Sequence, residues 1–157
     1  GYPGGIAIEK AAIGGNKERV NFPRAFFQSN LVEFSFSGLK TALQRHVELI
    51  DGKLTTEMLC DIAASYQFAI VDILLSKLRL AIDMTKINVA LIGGGVAANK
   101  LLREKAKRDF NDSKILYPNI ELCTDNAAMI AFLGEIYLDQ KLSHFETHKV
   151  IPNLRLS

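Results

Sequence analysis

Apolar residues recur every three or four positions from Thr55 to about Met84, at Met58, Leu59, Ile62, Tyr66, Ala69, Ile70, Ile73, Leu74, Leu78 and Ala81. This spacing places them on one helical face and predicts a long buried element, about 45 Å from end to end if unbroken. Thr55 offers a hydroxyl to the free first-turn amides, and Glu57 a negative charge where those amides favour one. Upstream, Ile6 to Ile13 predicts a short helix stopped by Gly14-Gly15. A polar, irregular loop to Asn30 follows, with Pro23 fixing an extended entry. Val32 to Phe36 alternates and predicts a short strand or extended segment, and Ser37 stands where it can cap a helix from Gly38 to about Ile50.

Past Lys86 the pattern changes to short apolar runs. Asn88 to Ile92 is one, ending in three glycines and followed by helical spacing from about Ala97 to Phe110. Lys114 to Tyr117 repeats the strand signal, Pro118 ends it, and Thr124 is expected to cap a last helix through about Leu138. Two adjacent strand, turn, helix units favour parallel pairing with a right-handed crossover, which gathers ligand-binding loops at the carboxyl ends of the strands. The turn Gly93–Gly95 and the segment from Glu121 to Asp125 are then expected side by side. The fold class is α/β and helix-rich with a short parallel sheet: one lobe over residues 1–140, then a peripheral tail over 141–157.

Composition narrows the picture. A chain of 157 residues with 48% hydrophobic and 23% charged residues is an ordinary globular domain. A formal charge of +2 gives no broad electrostatic footprint for nucleic acid, so any RNA contact must be local. The basic stretch Lys100, Arg103, Lys105, Lys107 and Arg108 is interleaved with Glu104 and Asp109 and reads as the solvated side of a helix. Cys60 and Cys123 have no framework spacing and are expected as reduced, buried thiols. No run reaches the roughly 18 apolar residues of a membrane span, so no membrane partner and a cytoplasmic location are expected. The opening Gly1-Tyr2-Pro3-Gly4-Gly5 has no initiator methionine and reads as the middle of a loop, with further sequence expected before it.

Several residue groups carry candidate chemistry. Gly93, Gly94 and Gly95, between a strand and a helix, let backbone amides approach phosphate oxygens, and Asn99, one turn into that helix, offers both a donor and an acceptor. The bland reading is a tight turn that lets the helix pack on the sheet. Gly93, Gly95 and Ala98 also fit a degenerate dinucleotide pattern, but the acidic residue expected about twenty positions later is poorly matched, and no Walker lysine follows. Asp125, entering the last helix, is a first-turn carboxylate or a metal ligand. Glu9, one turn after Gly5, suits either solvent or a ribose hydroxyl. His144 and His148 have the spacing of a zinc pair but no third ligand, and read as tail histidines.

Four strings in order resemble the tRNA threonylcarbamoyladenosine transferase family, formerly the glycoproteases or O-sialoglycoprotein endopeptidases. They are Tyr-Pro-Gly-Gly at 2–5, Phe-Ser-Phe-Ser-Gly-Leu-Lys-Thr at 34–41, Gly-Gly-Val-Ala-Ala-Asn at 94–99 and Cys-Thr-Asp-Asn-Ala-Ala-Met-Ile-Ala at 123–131. The resemblance implies part of an actin-like ATPase lobe, of the ribonuclease H-like kind. It implies transfer of threonylcarbamoyl from threonylcarbamoyl-AMP to the adenosine beside the anticodon of tRNA. Gly5 and Glu9 would contact the ribose, Gly94 and Gly95, with Gly93 extending the turn, would line the phosphate and nucleoside site, and Asn99 would bind the nucleotide, whether the adenylate or ATP. Asp125 would coordinate one divalent metal, iron or zinc by expectation, or magnesium. The family's metal-binding histidine pair is not found here, so this chain alone is expected to be inactive. Implied partners are tRNA, a degenerate paralogue and a small ATPase of the bacterial modification complex, with self-association into a homodimer also expected. Two other readings compete: a metal-dependent O-sialoglycoprotein endopeptidase, and a non-catalytic partner-binding paralogue.

Overall fold

A computed structural model describes residues 4–27 and 29–140 and divides the chain into two compact units, residues 1–123 and 124–157. The first unit carries α1 (Gly4–Ala11), α2 (Ser37–Glu48), α3 (Thr56–Thr85), β1 (Val89–Leu91), α4 (Lys100–Asp109) and β2 (Lys114–Leu116). The second contains α5 (Ala127–Asp139). The helix-rich α/β class read from the sequence is therefore observed. His144, His148 and the expected tail over 141–157 lie outside the described residues, as do Tyr2 and Pro3.

The long helix organises the first unit, as its periodicity predicts. Thr55 caps α3, its Oγ1 accepting the Met58 amide at 3.2 Å, and Glu57 lies in the first turn. One stripe, Ile62, Tyr66, Ala69 and Ile73, packs with Phe22 and Leu39, joined by Ile8 of α1 and Ala42 and Leu43 of α2. A second stripe, Val71 and Leu75, packs with Leu102 and Ala106 of α4 and with Phe110. The sequence reading gave one apolar face, whereas α3 buries two, and Met58 and Leu59 are exposed. The helix is long and apolar enough to cross a membrane by length and composition, but half of its most apolar window is buried by these two cores.

Gly15 permits the close approach of the loop after α1 to α3, since a Cβ there would collide with the backbone carbonyl of Cys60. Asp61 of α3 accepts the Asn16 amide at 2.7 Å, and the buried Ser65 hydroxyl accepts the Val20 amide and donates to the Asn16 carbonyl. Interior polar groups thus meet backbone partners supplied by this loop.

The strands pair in parallel, Ala90 opposite Ile115, as two successive strand, turn, helix units require. Ile92, Ile115 and Tyr117 face the second core, while Val89, Leu91 and Leu116 point to the other, exposed face.

Three local expectations are corrected. Of the two readings of residues 32–36, strand or extended segment, the strand falls, because no described segment pairs with them. Ser37 does not cap α2: it is the first helical residue, and Phe36 stands at the cap without a side-chain bond. Thr124 does not cap α5; Asn126 does, its Oδ1 accepting the Met129 amide at 3.0 Å.

Candidate nucleotide site

β1 runs into Gly93 and Gly94, and a short 3-10 turn over Gly95–Ala98 delivers the chain to α4. Gly94 has φ of 78°, a left-handed conformation that disfavours other residues. No described atom lies within 4 Å of where a Cβ would stand on Gly93 or Gly94, so these glycines face open space. Close packing of helix on sheet is therefore not what requires them. Gly5, in the first turn of α1, likewise faces open space.

Asn99 is not one turn inside the helix, as its spacing suggested. It is the N-cap of α4, its Oδ1 accepting the Leu102 amide at 2.9 Å. Its Nδ2 donates to Gln67 Oε1 of α3 at 3.1 Å, which fixes the orientation of the amide. One Nδ2 hydrogen and one Oδ1 lone pair are left for a ligand.

Glu9 reaches the same helix start. Its Oε1 accepts the Lys100 backbone amide at 2.8 Å, so a carboxylate already occupies part of the positive end of α4. Glu9 of α1, the turn Gly93–Gly95 and Asn99 thereby adjoin one helix N-terminus, while Gly5 is linked to it only through its place one turn before Glu9 on α1.

Arg103 joins the loops after the two strands. Its Nε donates to the Ala97 carbonyl at 2.6 Å, and its Nη2 to the Pro118 carbonyl at 2.9 Å and the Cys123 sulfur at 3.4 Å. The guanidinium also lies over the Tyr117 ring at 4.7 Å. Burial pushes the Tyr117 hydroxyl above its ordinary pKa, and the Arg103 charge opposes that shift. Cys123 is a buried free thiol, as expected, while Cys60 is half-buried. Sequence spacing predicts that Arg103 and Lys105 are solvated; in the structure Arg103 holds the Ala97 and Pro118 carbonyls, and Lys105 is paired with Asp72 at 3.5 Å and Asp109 at 2.7 Å. Periodicity assigns both to the polar side of α4 and carries no sign of the carbonyls and carboxylates that other elements bring to them.

Asp125 belongs to the second unit. It is exposed and stands one residue before the Asn126 cap, outside the first turn of α5. Among the described residues no group of three or more histidine, cysteine, aspartate or glutamate side chains could hold a metal ion. Asp125 is thus at most one member of a ligand set, and a single carboxylate does not make a metal centre.

A glycine turn with open space beside it, at the carboxyl end of a parallel strand, is a class of site suited to phosphate and nucleoside groups, although the Lys100 and Leu102 amides of the adjoining helix are already taken by Glu9 and Asn99. The chain belongs to the tRNA N6-adenosine threonylcarbamoyltransferase family, whose model matches residues 1–132. A relative of that name from Thermosipho africanus is 42% identical over 158 residues, covering 99% of this chain and 47% of the relative. Another, from Desulfitobacterium hafniense, is 43% identical over 160 residues, covering 100% of this chain and 47% of its own length. One from Thermosipho melanesiensis is 50% identical over 136 residues, covering 85% of this chain and 41% of its own. The chain thus spans about half the length of these curated relatives.

Proposed function

We propose that the whole protein transfers a threonylcarbamoyl group from threonylcarbamoyl-AMP to the adenosine beside the anticodon of tRNA, and that this chain supplies part of the nucleotide site. One observation carries the reading: Glu9, Asn99 and the glycines adjoin the start of α4, where the open space at Gly93 and Gly94 admits a phosphate, and a carboxylate and an oriented amide suit ribose and base. The remaining Asn99 valences hold the nucleotide, and Gln67 keeps that side chain from turning away. Asp125 contributes one carboxylate to a divalent ion whose other ligands are not among the described residues. No step of the transfer is assigned to that ion, and this chain alone is inactive in the proposal. The cytoplasm is the compartment where such a tRNA acceptor is met.

The endopeptidase reading gains no support from the described residues, because no glutamate there stands between zinc-ligating histidines. The test is transfer by the whole protein, measured with threonylcarbamoyl-AMP and unmodified tRNA, for the natural sequence, Asn99→Ala and Asp125→Ala. Loss of at least tenfold in rate is expected for each variant. Natural rates in both variants would refute the assigned roles.

A further inference from the structure

The loop between α1 and α2 is fastened to α3 at two points. Arg24 pairs with Asp72 at 3.0 Å, and Lys77, only 1% exposed, donates its ammonium to the Ser29 carbonyl at 2.8 Å and to the Ser29 hydroxyl at 3.2 Å. Burying a lysine against neutral oxygens is unfavourable unless those oxygens hold it well, so the loop has a defined shape. Between the fastenings Phe26 adopts φ of 58°, unusual for a bulky residue. The result is two adjacent exposed phenylalanines on a fastened loop, Phe26 at 42% and Phe27 at 44% exposure.

Cations lie beside Phe27 and along the surface next to it. Lys17, Lys105 and Arg24 approach the Phe68 ring at 4.6, 5.7 and 6.0 Å from its centroid, and Arg79 lies 4.2 Å from the Phe110 centroid. Phe27, Arg79, Lys105 and Phe110 share the lining of one cleft of about 220 Å³. The strip therefore runs from Phe110 and Arg79 past Phe27 and Lys105 to Phe68 and Lys17. Asp72 and Asp109 answer Arg24, Lys105 and Arg108, and Asp112 answers Arg79. Lys17 has no carboxylate partner among the described residues.

We propose that this strip is a docking surface for a single-stranded segment of RNA. Bases stack on Phe26 and Phe27, and the phosphate backbone passes over Lys17. Two exposed aromatic faces at one end of a strip that carries cations suit unpaired nucleotides, whose bases offer π-faces and whose backbone offers charge. An acidic polypeptide would meet Asp72, Asp109 and Asp112 beside the cations and leave the phenylalanines without stacking partners. The inference rests on the proposed transfer to tRNA and adds where that substrate is gripped, on a surface built from residues other than those assigned to the nucleotide.

The experiment is fluorescence anisotropy of a labelled anticodon stem-loop RNA with the whole protein, beside AMP binding by calorimetry. The aromatic variant is Phe26→Asn with Phe27→Ser, because asparagine tolerates the left-handed backbone. It is expected to weaken RNA binding at least tenfold, the scale of one lost base stack, while AMP binding is unchanged. Lys17→Ala, an exposed position that does not threaten folding, is expected to make the slope of log affinity against log salt shallower by about 0.7. RNA affinity and salt slope unchanged in both variants would overturn the inference, as would displacement of the RNA by polyglutamate at equal charge concentration. RNA binding that survives both substitutions in a protein that still transfers to tRNA sinks the surface and leaves the proposed function standing. Natural protein that binds the stem-loop through this strip yet transfers nothing sinks the function and leaves the surface.

Discussion

The Glu9 carboxylate of α1 holds the Lys100 amide that opens α4 at 2.8 Å, joining positions 91 residues apart. A short helix with no buried residue of its own is thereby tied to the turn that the glycines create. The bond does two things. It satisfies one of the four unpaired amides of α4, and it places negative charge where the helix favours it.

Glu9→Ala removes both contributions, and Glu9→Gln only the charge. The alanine variant is expected to lower the local stability of the α4 start by about 1 kcal/mol, and the glutamine variant by about half as much. Amide exchange at Lys100 measures this, with faster exchange in the order natural, glutamine, alanine. Equal protection in all three would show that the bond contributes nothing.

Asn99 has a structural and a proposed binding role that substitution can separate. Asn99→Asp keeps the cap acceptor for Leu102 but loses the donor to Gln67 and to a ligand, and aspartate caps about as well as asparagine. It is expected to hold stability within about 0.5 kcal/mol while nucleotide affinity falls, whereas Asn99→Ala costs about 1 kcal/mol as well. Calorimetric binding of AMP beside thermal unfolding distinguishes them. An aspartate variant that binds as tightly as the natural protein would assign Asn99 to the helix alone.

Acid is expected to loosen the far end of α4. Hydrogen bonds from Arg108 and then Lys105 hold the Asp109 carboxyl below the usual carboxylate range, and the Arg79 bond does the same for Asp112. Because the folded-state values are depressed, the unfolded chain takes up protons first as pH falls. The contribution is complete above the unfolded value of about 3.9 and disappears as pH drops through the lower folded values. NMR titration of the two carboxyl carbons should give midpoints below that of a free aspartate, and Asp109→Asn should flatten the acid limb of stability. Midpoints at or above the free value would remove the effect.

The amino-acid sequence by itself determined what neighbouring residues decide. Periodicity marked α3, Thr55 marked its cap, glycines marked the turn after β1, and two short apolar runs gave a parallel pair, because each depends on hydrogen bonds or side-chain spacing within a few residues. Four ordered strings marked the family. Only the tertiary structure decided that α3 buries two faces, that residues 32–36 remain unpaired, and that Asn99 starts the helix rather than lying within it. The same holds for Gln67 orienting Asn99, Glu9 reaching Lys100, and Arg103 tying two strand ends. Each of these pairs a polar group with a partner on another element, and the free energy that selects it lies in the satisfaction of polar groups taken out of water. Such partners meet only after packing, so they leave no periodic trace along the chain.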